Sequence, residues 1–227
     1  MSDKQGAASG PADGAGSSRG TAGASAPGGR TPSTPAEGGM RVDARRNRDN
    51  LLAVARTVLA EEGLEASLRD VARRAGVGIG TLYRHFPTRE ALVQAVLSDR
   101  LNALADAADE SLTAASPGEA LAAWLQRFAA GSGTFHGLPG SVLAALHDVH
   151  SELHGSCAAM HESASRLLER AQAAGEVRPD VDAEDLFTAA AAIGWAAQYS
   201  DRERARRILT LLTDGMQSGH ADAVRGG

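Results

Sequence analysis

Apolar residues recur along this chain every three or four positions, and seldom every second one, which is the period of helices packed on one side. After Asp43, a residue suited to capping a helix amino terminus, Leu51, Leu52, Ala55, Val58 and Leu59 fall on one face, and Gly63 follows as a helix-ending glycine. Ser67 opens the next segment, where its hydroxyl can cap the amide three residues on while Asp70 answers back. Val71, Ala72 and Ala75 form the buried side of that segment, and Gly76 turns the chain. A short helix over roughly Gly78 to Phe86 is stopped by Pro87. Thr88 then caps a fourth helix through Leu92, Val93, Val96, Leu97, Leu101, Leu104 and Leu112. Beyond Ser116-Pro117-Gly118 the pattern predicts helices near 118–130, 139–154, 156–174, 182–199 and 202–217, with Gly131-Ser132-Gly133, Gly155, Gly175 and Ser200-Asp201 between them. No alternation long enough for a strand and no internal repeat is present, so the expected fold class is all-α.

Composition changes this picture first at the amino terminus. Residues 1–40 hold ten Gly, eight Ala, six Ser, four Pro and three Thr, with no Val, Ile, Leu, Phe, Tyr or Trp. Such a stretch has nothing to bury against its ordering entropy and is expected to be a disordered tail. A solvated leader or a misassigned start at Met40 is the expected reading of this stretch, and truncation to Met40 is expected to leave folding intact. The remaining residues divide into an expected domain at 41–90 and a second at 91–220. A single cysteine, Cys157, rules out an internal disulfide and a thiolate zinc cage. No run approaches eighteen apolar residues, and the chain lacks a basic start followed by an apolar signal segment. The expectation is a soluble cytoplasmic protein with no membrane partner.

Charge is more informative by region than in sum. Residues 1–40 balance at 0, residues 41–90 carry ten Arg against seven acids, and residues 91–227 carry ten Arg against eighteen acids. A mildly basic segment joined to an acidic one fits one part that meets a polyanion and one that does not. Lys4 is the only lysine. Nearly every positive charge is therefore a guanidinium, suited to bidentate phosphate or guanine contacts.

The chemistry concentrates between Ser67 and Arg89. Two short helices joined by a tight turn containing glycine make a helix-turn-helix, whose second helix can enter the major groove. At 100° per residue, Leu82 and Phe86 point to the core with Ile79 beside them. Gly80, Thr81 and Arg84 point away, and Tyr83 and His85 flank that ridge. Gly78 and Gly80 are poor helix formers, costing about 1 kcal/mol each relative to Ala. They make sense where the backbone must come close to something.

The run from Ser67-Leu68-Arg69-Asp70-Val71-Ala72 through Gly76-Val77-Gly78-Ile79-Gly80-Thr81-Leu82-Tyr83-Arg84-His85-Phe86-Pro87-Thr88-Arg89-Glu90-Ala91-Leu92 resembles the TetR (AcrR-type) family of bacterial transcriptional regulators. The likeness covers about fifty residues from Asp43. It implies that Ser67 and Arg69 open the first helix of the motif at the DNA, with Arg69 able to reach a base. It implies base or phosphate contact for Thr81, base contact for Arg84, and phosphate clamping by Tyr83, His85 and Arg89, with Gly78 and Gly80 at the interface. For the remainder it implies a helical effector-binding domain whose last two helices, here 182–199 and 202–217, pair two subunits. The small residues Ala189 to Ala192, Gly194, Ala196 and Ala197, and the stripe Ile208, Leu209, Leu211, Leu212 and Met216, accord with that pairing, as they would with an internal core.

Several residues carry sharper readings with plainer rivals. His147, His150 and His154 are expected on one helix face, near Asp148, Glu152, Cys157, Met160 and His161. That permits a metal site in principle, but a polar wall of an effector pocket or a half-exposed surface is the plainer reading, and no metal is assigned. Trp124, Phe128, Phe135, His147, His150 and Trp195 are the candidate effector-lining residues, each also readable as core or surface. No cofactor fingerprint and no nucleophile with its base is present, so no cofactor and no enzymatic activity are expected. The sequence thus points to a homodimeric repressor with operator DNA and an unknown small-molecule effector as partners. The alternative is a helical metal-binding protein or small-molecule enzyme that carries a helix-turn-helix.

Overall fold

A computed structural model describes residues 35–132, 137–197 and 202–217. These fold into nine helices: α1 (Pro35–Glu62), α2 (Leu68–Arg74), α3 (Ile79–His85), α4 (Arg89–Ser111), α5 (Pro117–Ser132), α6 (Gly140–His147), α7 (Glu152–Ala173), α8 (Ala183–Ala196) and α9 (Arg202–Gly215). Among the described residues the only β-pairing is an isolated bridge between Val177 and Gln217. The all-α expectation holds.

The local signals act as expected at several boundaries. Ser67 caps α2 with its hydroxyl accepting from the Asp70 amide, and Thr88 caps α4 by accepting from the Ala91 amide at 3.1 Å. Gly63 and Gly76 take φ of +80° and +71°, which lets α1 and α2 end in sharp turns. Two boundaries differ. α1 begins at Pro35, so Asp43 lies inside a helix and residues 35–40 are helical where a disordered tail was expected; the rest of that tail lies outside the described residues. The helix expected over 139–154 is two helices. The Asp148 carboxylate accepts from the His150 amide at 3.0 Å, while the Ser151 hydroxyl accepts from the His154 amide at 3.0 Å and donates to the Ala145 carbonyl. Side chains thus take over the backbone pairing, end α6 at His147 and restart the chain as α7.

Two apolar cores are strung on α4. Leu51, Leu52, Ala55, Val58 and Leu59 of α1 meet Val71, Leu82 and Phe86, and α4 closes this first core with Leu92, Val93, Val96 and Leu97. Val142 of α6 and Leu153 of α7 enter the same cluster, 0% and 2% exposed. The second core takes Leu104, Ala105, Ala107 and Ala108 from α4 and packs them with Leu121, Trp124 and Leu125 of α5, Leu167 and Leu168 of α7, and Phe187 of α8. Leu101 touches both.

α5 is held at both ends by partners from afar. Glu176 accepts from the Ser116 hydroxyl at 2.9 Å and from the Gly118 amide at 2.7 Å, fixing the amino end. Near the other end, Arg100 of α4 donates to the carbonyls of Arg127 and Phe128 at 3.1 and 3.2 Å. The Arg100 guanidinium covers Gly131 so closely that a Cβ there would overlap it. Gly194 of α8 is buried against α5, where an added Cβ would stand 2.1 Å from the Ala129 carbonyl oxygen. The close approach this glycine permits is therefore made within the chain, between α5 and α8, as the internal-core reading of its stretch has it.

Candidate nucleic-acid interface

α3 is positioned by what it buries. Leu82 is 0% and Phe86 is 3% exposed, both in the first core, so the opposite side of α3 must face outward. Gly80 and Arg84 are exposed there, Tyr83 is 48% exposed, and Thr81 and His85 are half-buried at the flanks. Ile79 was expected beside the core but is exposed. It is the first residue of α3, and a helical side chain leans toward the amino terminus, which carries this one past the edge of the core.

Nothing in the fold requires glycine at 78 or 80. Gly78 caps α3 at φ −69° and ψ 147°, an extended conformation open to any residue, and a Cβ at either position would meet nothing within 4 Å. Their small size leaves clear space outside the molecule, along the helix edge that points away from the core.

Part of the charge around the motif is paired internally. Asp70 accepts from Arg73 and from Arg74 Nε (2.5 Å), and Arg74 also reaches Glu61 and Glu62 of α1 at 2.7 Å each. The Arg73 guanidinium, aided by Arg74 and opposed by partial desolvation, holds the Asp70 carboxyl below the usual carboxylate range. Arg69 and Arg84 are exposed, and among the described residues neither is in an ion pair. Ser67 is exposed at the start of α2, where its hydroxyl is used as the cap. Arg89 has an internal task that the sequence did not suggest. Its Nη1 donates to the carbonyls of Leu64 at 2.8 Å and Ala66 at 2.6 Å, tying the start of α4 to the turn between α1 and α2.

The residues expected to line an effector site are dispersed. Trp124 is 2% exposed, donates from Nε1 to the Leu104 carbonyl at 2.8 Å, and stacks on Phe128 with centroids 5.5 Å apart. Phe187 tilts against both rings at 5.8 and 5.9 Å, and His161 meets its edge at 4.5 Å. Phe187 and His161 were not among the candidates. The rings come from α5, α7 and α8, a pairing that no local spacing encodes. Trp195, by contrast, is 47% exposed near the end of α8. Phe135 lies outside the described residues.

His147, His150 and His154 do not share a helix face, because the chain breaks between α6 and α7. His147 ends α6, exposed, with Nδ1 2.8 Å from the Leu143 carbonyl; His150 is exposed in the turn; His154 is half-buried with Nδ1 2.8 Å from the Leu146 carbonyl. Among the described residues no group of three or more His, Cys, Asp or Glu side chains is arranged to hold a metal ion, and no helix is long and apolar enough to cross a membrane. A cavity of about 190 Å³ opens away from the rings, where α1, α3, α4 and the start of α7 meet, lined by Arg48, His85, Phe86, Gln94, Ser98 and Leu153 among others.

Comparison with known proteins places both halves. Residues 51–96 match the family model of bacterial regulatory proteins of the tetR family, and residues 116–218 match the C-terminal domain of SbtR-like transcriptional regulators. A TetR transcriptional regulator from Streptomyces coelicolor, known from its crystal structure, is 40% identical; the alignment covers 75% of this chain and 98% of that one, with a TM-score of 0.62. A TetR regulatory protein from Mycobacterium vanbaalenii is 35% identical over 78% of this chain and 99% of that one, with a TM-score of 0.58. The HTH-type transcriptional repressor KstR2 of Mycolicibacterium smegmatis is 41% identical over 92 residues, so the match spans 42% of that curated relative and 40% of this chain. The two family models and the crystal structures matched nearly end to end lead to one conclusion: this chain belongs to the TetR family of bacterial transcriptional regulators.

Proposed function

We propose that the protein is a homodimeric, sequence-specific transcriptional repressor, released from a pseudo-palindromic operator by a small-molecule effector. The observation that carries this reading is the outward face of α3. Glycines that the fold does not need, a half-exposed Tyr83 and an exposed Arg84 cover the side opposite buried Leu82 and Phe86. A helix bearing only solvent on that side has no use for a glycine within it at position 80, which costs about 1 kcal/mol relative to alanine. A helix laid against base edges does. Arg69, Thr81 and Arg84 are assigned to base readout. Ser67, Tyr83, His85 and Arg89 are assigned to the sugar-phosphate backbone, and Gly78 and Gly80 admit it closely.

Residues 41–90 act as the DNA-binding domain and 91–220 as the effector-binding and dimerisation domain. Trp195 of α8 and Ile208 and Leu211 of α9 are large apolar side chains 47%, 44% and 71% exposed. Together they suit the pairing of these helices with their copies in a second subunit. The effector site is assigned to the ring cluster of Trp124, Phe128 and Phe187 with His161 at its edge, apolar walls with one polar group. His147 and His150, both exposed, are left out of it.

The test is an electrophoretic shift on the DNA upstream of the coding region and on duplexes enriched from a random-sequence pool, titrated with salt. Retention of a palindrome that scrambled DNA does not compete supports the proposal. Enrichment of no sequence, with equal binding to every duplex, refutes sequence-specific readout.

A further inference from the structure

The cavity beside the end of α3 is lined along one wall by a single face of α4. Ala91, Gln94, Ala95 and Ser98 fall at i, i+3, i+4 and i+7 of that helix, and all four line it. The two alanines make the room, while Leu92, Val93, Val96 and Leu97 on the adjoining faces fill the first core. Phe86 and Leu153, 3% and 2% exposed, supply the apolar surface opposite.

The polar groups of this lining have nothing to bond within the fold. Ser98 is 4% exposed, and among the described residues its hydroxyl has no hydrogen-bond partner. The bond of a helical serine to the carbonyl four residues back, made by Ser111 and by Ser132, is not made here. Burying a hydroxyl without a partner is costly, and a hydroxyl that lines a cavity is satisfied by what enters it. Half-buried Gln94, one turn away, likewise keeps its donors and its acceptor unused by the described residues. Two opposite charges complete the lining. Half-buried Arg48 of α1 lies over the Phe86 ring, 5.6 Å from its centroid, and exposed Glu152 stands in the first turn of α7. Among the described residues neither is in an ion pair, with the other or elsewhere. Burial therefore grades from Ser98 inside to Arg48 and Glu152 at solvent.

We propose that this cavity binds a free α-amino acid, at a site separate from the ring cluster assigned to the effector above. The ligand carboxylate accepts from Arg48, its ammonium donates to Glu152, and its side chain runs inward past Phe86 and Leu153 to a polar end on Ser98 and Gln94. A ligand of one charge would leave the opposite lining group partly desolvated and unpaired, whereas a zwitterion satisfies both. An enclosed cavity of about 150 Å³ holds benzene, so about 190 Å³ takes a molecule of roughly ten non-hydrogen atoms. Because the walls come from α1, α3 and α4 on one side and from the start of α7 on the other, the occupant ties the helix-turn-helix to α7.

The full chain is titrated calorimetrically with the standard L-amino acids. Members whose side chains end in an amide or hydroxyl bind with dissociation constants of about 1 mM or lower, and more tightly than apolar analogues of similar size, glutamine above methionine and threonine above valine. The tightest binder loses about 10-fold or more in affinity as its decarboxylated amine or as its N-acetyl derivative. Arg48→Gln weakens binding of the amino acid but not of the decarboxylated amine, and Glu152→Gln weakens the amino acid but not the N-acetyl derivative. Arg127→Gln, which removes an exposed cation of α5 outside the cavity, changes neither. Ser98→Ala weakens the polar-ended ligands several-fold, yet melts at or above the parent without ligand, because the hydroxyl it removes has no partner in the fold. A Ser98→Ala protein that melts below the parent has lost an internal bond and overturns the inference. So does a parent that binds none of the amino acids, or binding indifferent to both Arg48→Gln and Glu152→Gln. Each of these leaves the repressor reading in place, since that is decided by retardation of DNA alone.

Discussion

Gly194 and Gly155 both sit inside helices, and replacing each by alanine is expected to change stability in opposite directions. Alanine is favoured over glycine in a helix by about 1 kcal/mol, because glycine has more freedom to lose on folding. At Gly155 of α7 the position is exposed and an added Cβ meets nothing within 4 Å, so that gain is realised in full. At Gly194 the Cβ would stand 2.1 Å from the Ala129 carbonyl oxygen, against 3.4 Å or more for ordinary contact. α5 and α8 must separate by more than 1 Å, and both belong to the second core, where Trp124, Phe128 and Phe187 interlock. Overpacking of this kind costs about 1–3 kcal/mol net. For a domain of this size each kcal/mol moves the melting midpoint by roughly 2–4 °C. Gly194→Ala is therefore expected to melt about 2–12 °C below the parent and Gly155→Ala about 2–4 °C above it, by circular dichroism at matched protein concentration. A Gly194→Ala protein that melts at or above the parent would refute the intramolecular α5–α8 contact as the reason for the glycine.

Further outcomes follow from single contacts. Tyr83→Ala is expected to weaken all operator variants by a similar factor, whereas Thr81→Ala and Arg69→Ala alter the ranking of half-site bases in competition assays; equal binding by all three and the parent contradicts the docking. Arg89→Ala removes two charge-assisted hydrogen bonds to Leu64 and Ala66 and should lower unfolding free energy by about 1–3 kcal/mol in urea titrations, a loss that a phosphate clamp alone would not produce. The Asp70 carboxyl is held low by Arg73, so its stabilising effect is present above the unfolded carboxylate pKa of about 4 and is lost as pH falls through the lower folded value; Asp70→Asn should flatten that part of the acid limb in pH-dependent melts. Burial pushes the Cys157 thiol up, so its thiolate is scarce at neutral pH and alkylation by iodoacetamide should be slower than for a free cysteine.

The sequence carried the helix-turn-helix because its signals are local. Ser67, Gly76, Pro87 and Thr88 each set one boundary by their own chemistry, and Leu82 and Phe86 set the facing of α3 by helical period alone. What it did not carry depends on groups distant in the chain or on competition between equals. Every residue from Gly140 to His154 tolerates a helix, and only the Asp148 and Ser151 side chains, bonding to nearby amides, tip the balance toward a break. The ring cluster joins residues from three helices. The role of Gly194 is visible only once Ala129 is beside it, and its small neighbours Ala189 to Ala192 read equally well as a subunit interface.

In the proposed repressor, α4 is the element through which an event in the second core would reach α3. A helix shared between two cores cannot shift in one without disturbing the other, since packed interiors respond by discrete repacking and not by smooth deformation. α4 gives Leu92 to Leu97 to the core under α3 and Leu104 to Ala108 to the core around Trp124, with Leu101 between them. A second link runs in parallel, because Val142 of α6 and Leu153 of α7 are buried in the first core while the rest of α7 lines the second. Arg100 adds a third, joining α4 to the carbonyl end of α5 at Phe128, one of the rings of the proposed effector site. Burial disfavours the charge on Arg100, the neighbouring Arg56 and Arg127 add to that, and the two carbonyls that accept from its guanidinium offset it. In the proposed repressor, an effector that turns Phe128 turns these carbonyls with it and thereby displaces α4. Arg100→Met keeps the bulk of the side chain and removes the link. Such a variant is expected to bind operator DNA like the parent and to need several-fold more effector for release; an unchanged effector response would place the coupling in Leu101 and the α6–α7 contacts instead.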